Sequence, residues 1–146
     1  SEPARLGIDD DGNLYVPDLS RVYVFNRDGD NILTIQTTRI DNGALYVANG
    51  AAVAPSGFLY VSDWQASMIA VFDPRGVAVG SWGSRGAEPG QFNEVDTLVI
   101  DSLGRLLVLD YANTRIQIFT LIEPPAAPNA TPVAHAQARP SALTIA

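Results

Sequence analysis

Chemistry in this chain has to come from carboxylates, because the other reactive side chains are scarce or absent. There is no Cys, so thiolate metal sites and nucleophilic thiols are excluded. The one His, His135, lies in an Ala/Pro-rich stretch, away from the patterned part of the sequence. That removes histidine-dependent zinc sites, Ser-His-Asp triads and His general bases from the patterned region. Two groups of acids remain. The run Asp9-Asp10-Asp11-Gly12-Asn13 places oxygen ligands as a calcium loop would. It lacks the glycine expected after the third ligand, since Leu14 follows Asn13, and Ser20 stands where a bidentate Glu would be. A solvated turn is the expectation. The second group is Asp18, Asp63 and Asp110, each closing a Val-x-Asp at one recurring position. Repetition at one place argues for a structural acid that accepts loop N–H groups and pairs with Arg21 or Arg115.

The elements that would hold these acids follow from a repeat. A glycine, an apolar strand, Val-x-Asp and a second strand ending in Phe recur as Gly12–Phe25, Gly57–Phe72 and Gly104–Phe119. The closing residues Phe25, Phe72 and Phe119 fall 47 residues apart, a period that marks a repeat architecture. Strands are expected over 6–8, 13–16, 22–25 and 31–36, over 51–53, 58–61, 68–72 and 77–82, and over 98–100, 105–109 and 115–119. Turn compositions such as Asp101-Ser102-Leu103-Gly104 separate them. Phe58-Leu59-Tyr60-Val61 and Leu106-Leu107-Val108-Leu109 are apolar on both faces. A sheet with one wet face alternates, so these sheets are covered on both sides, as in stacked blades around an axis. The reading is all-β: β-propeller blades of about four antiparallel strands, three per chain, half of a six-bladed ring. Repeats run roughly over 1–40, 41–84 and 85–122. The third is expected to lack its outer strand, because Thr120-Leu121-Ile122 runs into Glu123-Pro124-Pro125. Residues 123–146 read as a flexible, extended Ala/Pro-rich tail, with Leu143-Thr144-Ile145 as a short strand at most.

The copy from Gly86-Ala87-Glu88-Pro89-Gly90-Gln91-Phe92-Asn93 through Ile100-Asp101, Gly104, Val108-Leu109-Asp110 and Asn113-Thr114-Arg115-Ile116-Gln117-Ile118-Phe119 resembles the NHL repeat. The first copy keeps Asp9, Gly12, Asp18, Arg21 and Phe25. The second keeps Gly57, Asp63 and Phe72, with Ala54 in place of the turn Asp. The resemblance covers about residues 2–121. It implies a propeller and points to protein–protein interaction or assembly without catalysis. The alternative it allows is half of a six-bladed propeller enzyme, a metal-dependent lactonase or lyase type. Such enzymes use acids and Asn around the central channel. Here the channel-facing entries to the innermost strands are Glu2, Val47 and Glu94, then Ala4, Asn49 and Asp96, then Arg5, Gly50 and Thr97. Glu94, Asp96 and Asn49 are the oxygen ligands a divalent ion such as Ca²⁺ or Mg²⁺ would use, against the plainer reading of a solvated channel mouth. No resident cofactor is otherwise expected.

Partner contacts are expected where the repeats differ. These are the loops holding Leu19 and Arg21, Trp64 and Gln65, and Tyr111 and Asn113. Leu19, Trp64 and Tyr111 directly follow the three repeated Asp residues, so an apolar ridge along one rim is expected. The partner is another protein or a second copy that closes the propeller, since an open arc leaves two apolar faces bare. Nucleic acid is excluded as a partner by a net charge of −7, with 9 Arg and no Lys. No apolar run approaches the ~20 residues of a membrane span. A first residue other than Met, the absence of Cys and the Ala/Pro tail point to an exported bacterial protein, extracellular or periplasmic, with a cytoplasmic fragment as the alternative.

Overall fold

The computed structural model describes residues 5–37, 47–122 and 139–145, the last stretch through its backbone. Among these residues the fold is all-β, with no helix and three four-stranded antiparallel sheets. The first sheet runs β1 (Gly7–Ile8), β2 (Leu14–Asp18), β3 (Arg21–Phe25) and β4 (Asn31–Gln36). The second runs β5 (Ala48–Val53), β6 (Leu59–Asp63), β7 (Met68–Phe72) and β8 (Ala78–Trp82). The third runs β9 (Val95–Ile100), β10 (Arg105–Asp110), β11 (Arg115–Thr120) and β12 (Arg139–Ile145). Each is an up-and-down propeller blade, with the first strand of each repeat innermost.

One turn chemistry closes the hairpins. Asp101 Oδ1 accepts the N–H of Leu103 and of Arg105, both at 2.9 Å. Asp73 does the same for Arg75 and Val77, and Asn26 for Asp28 and Asp30. Asp9 accepts from Asn13 in the equivalent place. In each turn the fourth residue is a left-handed glycine, as at Gly12 (φ 81°) and Gly104 (φ 71°), which a side chain would strain. The acidic run at 9–11 is therefore a turn: Asp9 caps it while Asp10 and Asp11 face solvent. Ala54 lacks the capping oxygen, yet its backbone closes the same turn through Phe58 and Gly57.

Two apolar cores lie between the blades. Val22, Val24 and Ile35 of blade 1 pack on Leu59, Val61, Ala70 and Phe72 of blade 2. The opposite face of blade 2, with Tyr60, Ile69 and Val71, packs on Val95, Leu98, Leu106, Val108 and Phe119 of blade 3. The middle blade is thus dry on both faces, as its doubly apolar strands predict. The inner strands approach so closely that glycine is required. A Cβ on Gly7 would sit 2.9 Å from the carbonyl oxygen of Ala51, and one on Gly50 would sit 2.9 Å from that of Asp96.

The third blade corrects the sequence reading, because it has an outer strand. Residues 121 and 122 do not turn back beside β11. Instead β12, from within the Ala/Pro-rich stretch, pairs antiparallel with it, with Ile116 opposite Ile145 and Thr120 opposite Arg139. Pro140 is tolerated there because β12 is the edge strand of its sheet, where one backbone edge needs no partner.

Candidate functional site

The repeated acids are the place to start, since they fix the loops beyond them. Asp110 is fully buried at the end of β10. It accepts the Asn93 N–H at 2.7 Å, the Asn113 amide at 2.9 Å, Arg115 Nε at 2.7 Å and the Gln117 amide at 3.2 Å. Arg115 also donates to the carbonyls of Ala87, Glu88 and Gln91, stitching the 86–92 loop to the blade. Asp63, equally buried, accepts the N–H groups of Gln65 and Ala66 at 3.0 and 2.8 Å. Both acids are structural, as their repetition predicts. Asp18 differs. The loop after it is two residues shorter, and Asp18 lies exposed opposite Arg21 in the ladder. Arg21 is itself exposed and donates to the Tyr23 hydroxyl at 3.2 Å, which, with the charge of that ring, raises its pKa. It makes no contact like the one Arg115 makes to buried Asp110.

These clamped turns present side chains on one rim. Leu19, Trp64 and Tyr111 are 63%, 44% and 64% exposed, each immediately after its repeated Asp. Leu19 has φ 49°, and the two longer loops turn at Ser67 (φ 55°) and Thr114 (φ 53°), left-handed positions for non-glycine residues. Gln65 is exposed beside Trp64. The Asn113 amide binds Asp110 and the Gly86 carbonyl and so braces the loop that carries Tyr111. Trp82 is a packing residue, edge-on to Tyr60 at 6.1 Å and to Phe119 at 5.8 Å.

At the inner strands, Asp96 is shared between the blades. Arg5 reaches it at 2.7 Å from blade 1, and the Asn49 amide reaches it at 3.1 Å from blade 2. The Thr97 hydroxyl lies 3.4 Å from the same carboxylate. The Asp96 carboxylate, one of the oxygens proposed as metal ligands, is therefore engaged in joining three blades. Glu94 adopts φ 63°, and its carbonyl accepts the Tyr111 N–H, which fixes that loop. Among the described residues no group of three or more His, Cys, Asp or Glu is placed to hold a metal ion. Glu2 and Ala4 lie outside the described residues.

Two contributors were not singled out from the sequence, and a third, Arg5, was named only as a channel-facing entry. Gln117 is a buried polar residue where the other repeats have Tyr23 and Ala70, and that mismatch was its only signal. Arg5 carried a signal only as an opposite charge near the aligned position of Asp96. Tyr15 bonds Asp9 at 3.3 Å; burial, then the charge of Asp9, pushes its hydroxyl up to about 12.

The arrangement is that of a β-propeller: rigid blades, braced loops at one rim and inner strands joined by polar contacts. Solved structures with this fold include hydrazine synthase from Kuenenia stuttgartiensis (TM-score 0.61, 18% identity, 80% of this chain and 32% of that one). A catalytically inactive virginiamycin B lyase from Staphylococcus aureus, solved with quinupristin, is similar over 90% of this chain and 44% of its own (TM-score 0.60, 15% identity). A protein of unknown function from Bacteroides caccae matches with a TM-score of 0.52 and 17% identity, over 80% of this chain and 41% of that one. In sequence the chain is 33% identical over 131 residues to peptidylglycine alpha-amidating monooxygenase of Rattus norvegicus, and 32% identical to that of Mus musculus. The match takes in 80% of this chain but 13% of the length of those curated relatives. No family model matches the chain.

Proposed function

We propose that this chain is a non-catalytic protein-interaction module built from NHL-type propeller blades, with the rim of Leu19, Trp64 and Tyr111 as its contact surface. The observation that carries the reading is the exposure of these three side chains at equivalent turns, two of them clamped from below by buried Asp63 and Asp110. Exposed aromatics on preorganised loops lose little entropy on binding, and Trp and Tyr dominate binding hot spots. Gln65 and Arg21 supply polar contacts beside them. The monooxygenase, synthase and lyase activities belong to the similar proteins and form no part of this proposal.

The test is affinity capture with the full chain against a Trp64→Ala/Tyr111→Ala variant. Leu103→Ala serves as the control, because Leu103 is equally exposed but sits at the opposite end of β10. A partner lost by the rim variant and kept by the control supports the reading; a partner kept by both refutes it. Calorimetric titration with Ca²⁺ and Mg²⁺ addresses the enzyme alternative, which needs a saturable site at Glu94, Asp96 and Asn49.

A further inference from the structure

The sequence holds two Asn-Gly pairs, Asn42-Gly43 and Asn49-Gly50. Asn-Gly is the dipeptide most prone to lose its side-chain amide, because glycine puts no side chain in the way of its own backbone nitrogen. Asn42-Gly43 lies outside the described residues, whereas Asn49-Gly50 sits in β5, where three blades meet. Packing calls for both members of that pair. A Cβ on Gly50 would stand 2.9 Å from the Asp96 carbonyl oxygen and 2.9 Å from Ser62 Oγ, so no larger residue fits. The Asn49 amide donates to the Asp96 carbonyl at 3.3 Å and to the Asp96 carboxylate at 3.1 Å, and an ionised acid in its place has no proton to donate. The fold therefore places its most reactive dipeptide at the junction of its inner strands.

We infer that Asn49-Gly50 is a modification site for spontaneous deamidation, held shut by this junction and opened only when the inner strands part. In the reaction the Gly50 nitrogen attacks Asn49 Cγ. The new N–Cγ bond closes a succinimide, the Cγ–Nδ2 bond breaks, and the amide leaves as ammonia with the proton that the attacking nitrogen gives up. Water then opens the imide to leave aspartate or isoaspartate at position 49. The folded chain holds each reacting group. The Gly50 N–H donates to buried Ser62 Oγ at 2.9 Å, and that hydroxyl lies 3.5 Å from the Asp96 carbonyl. Asp96 holds the leaving amide, and the Asn49 carbonyl accepts the Arg5 N–H at 2.7 Å. Closing the imide also requires the backbone to leave the extended form that β5 imposes. The change is one-way in its effect. A carboxylate at position 49 sets a like charge against Asp96 where a donor is needed. Isoaspartate lengthens the backbone of a strand whose register already shifts between Ala48 and Gly50. A chain that opens and reacts therefore returns without its link between blades 2 and 3.

The experiment incubates the full chain at neutral pH with and without urea. Mass-spectrometric fragmentation then locates deamidation at Asn42 or Asn49. In urea both sites should react. In the folded chain Asn49 should react at least about tenfold more slowly than in urea, because opening of the inner strands limits it. Ser62→Ala removes the acceptor of the Gly50 N–H, so it should speed the reaction at Asn49 in the folded chain and leave the rate in urea unchanged. Asn49→Asp, one of the two products, should lower the urea midpoint of unfolding or abolish folding. Equal rates at Asn49 with and without urea overturn the proposal. A folded Ser62→Ala chain that reacts no faster than the wild type overturns the assigned hold, and a wild-type midpoint for Asn49→Asp overturns the consequence. Should Ser62→Ala fail to fold, the wild-type comparison with and without urea still decides.

Discussion

Replacing Asp110 with Ala should be among the most damaging single changes in this chain. Four groups converge on that carboxylate in a site closed to water: the Asn93 N–H, the Asn113 amide, Arg115 Nε and the Gln117 amide. Alanine leaves all four without this acceptor. Arg115 keeps the carbonyls of Ala87, Glu88 and Gln91, so its charge is not stranded completely. Removing one partner of a buried, hydrogen-bonded ion pair costs about 3–5 kcal/mol, and the retained carbonyls place the expectation towards the lower end. Against a total stability of about 5–15 kcal/mol, that is a large share. The Arg5–Asp96 pair sets the scale for comparison. It is as short, at 2.7 Å, but Arg5 is 55% exposed. Pairs of that kind contribute about 0–1 kcal/mol. Urea unfolding at one fixed chain concentration, followed by circular dichroism, measures both. Asp110→Ala should move the midpoint several times further than Arg5→Ala, with Asp110→Asn between them because it keeps an acceptor. Equal shifts for Asp110→Ala and Arg5→Ala would refute the claim that burial and convergent bonding make this acid structural.

Acid should weaken the fold through Asp9 and Asp73. Burial raises both carboxyls, but bonds from Asn13 and Tyr15 to Asp9, and from Val77 and Arg75 to Asp73, more than offset it and hold both below the ordinary 3.8. Their contribution is fully present above that value and is lost as pH falls through the lowered one. The urea midpoint should therefore drop below about pH 4, and Asp9→Asn should lose less over that range than the wild type. At the alkaline end the sign is reversed. Tyr15 ionises near 12 instead of 10.0, so its contribution is present below pH 10 and is lost as pH rises through 12. Ultraviolet titration should show a late phenolate step that Tyr15→Phe removes.

Blade number, strand order and the structural role of Asp63 and Asp110 were legible because they repeat. A position that recurs as Phe25, Phe72 and Phe119 identifies a packing site without any contact being seen. What differs between repeats was harder to read. Arg21 and Arg115 occupy one repeat position, but the loop shortened by two residues leaves Arg21 on the surface while Arg115 is drawn against the 86–92 segment. Asn113 was read as a rim residue, and its bracing role was hidden because its Gly86 partner lies 27 residues away. Asp96 was read as a candidate ligand, and its bonds to Arg5 and Asn49 were hidden because these arrive from two other blades. The outer strand of blade 3 was obscured by composition. An Ala/Pro-rich stretch gives no alternation to read, and a strand paired only along one edge needs none.

The late origin of β12 also sets the order in which the molecule can become whole. Every other neighbouring pair of strands within a sheet follows directly in sequence, so each can zip up as a hairpin soon after it is made. β11 must wait through residues 123–138 before its outer edge is paired. During that interval its backbone donors and acceptors offer a template to any passing strand, which is a common route to edge-to-edge aggregation. A chain cut after residue 122 would keep that edge permanently, because the strand that covers it lies beyond the Ala/Pro-rich stretch.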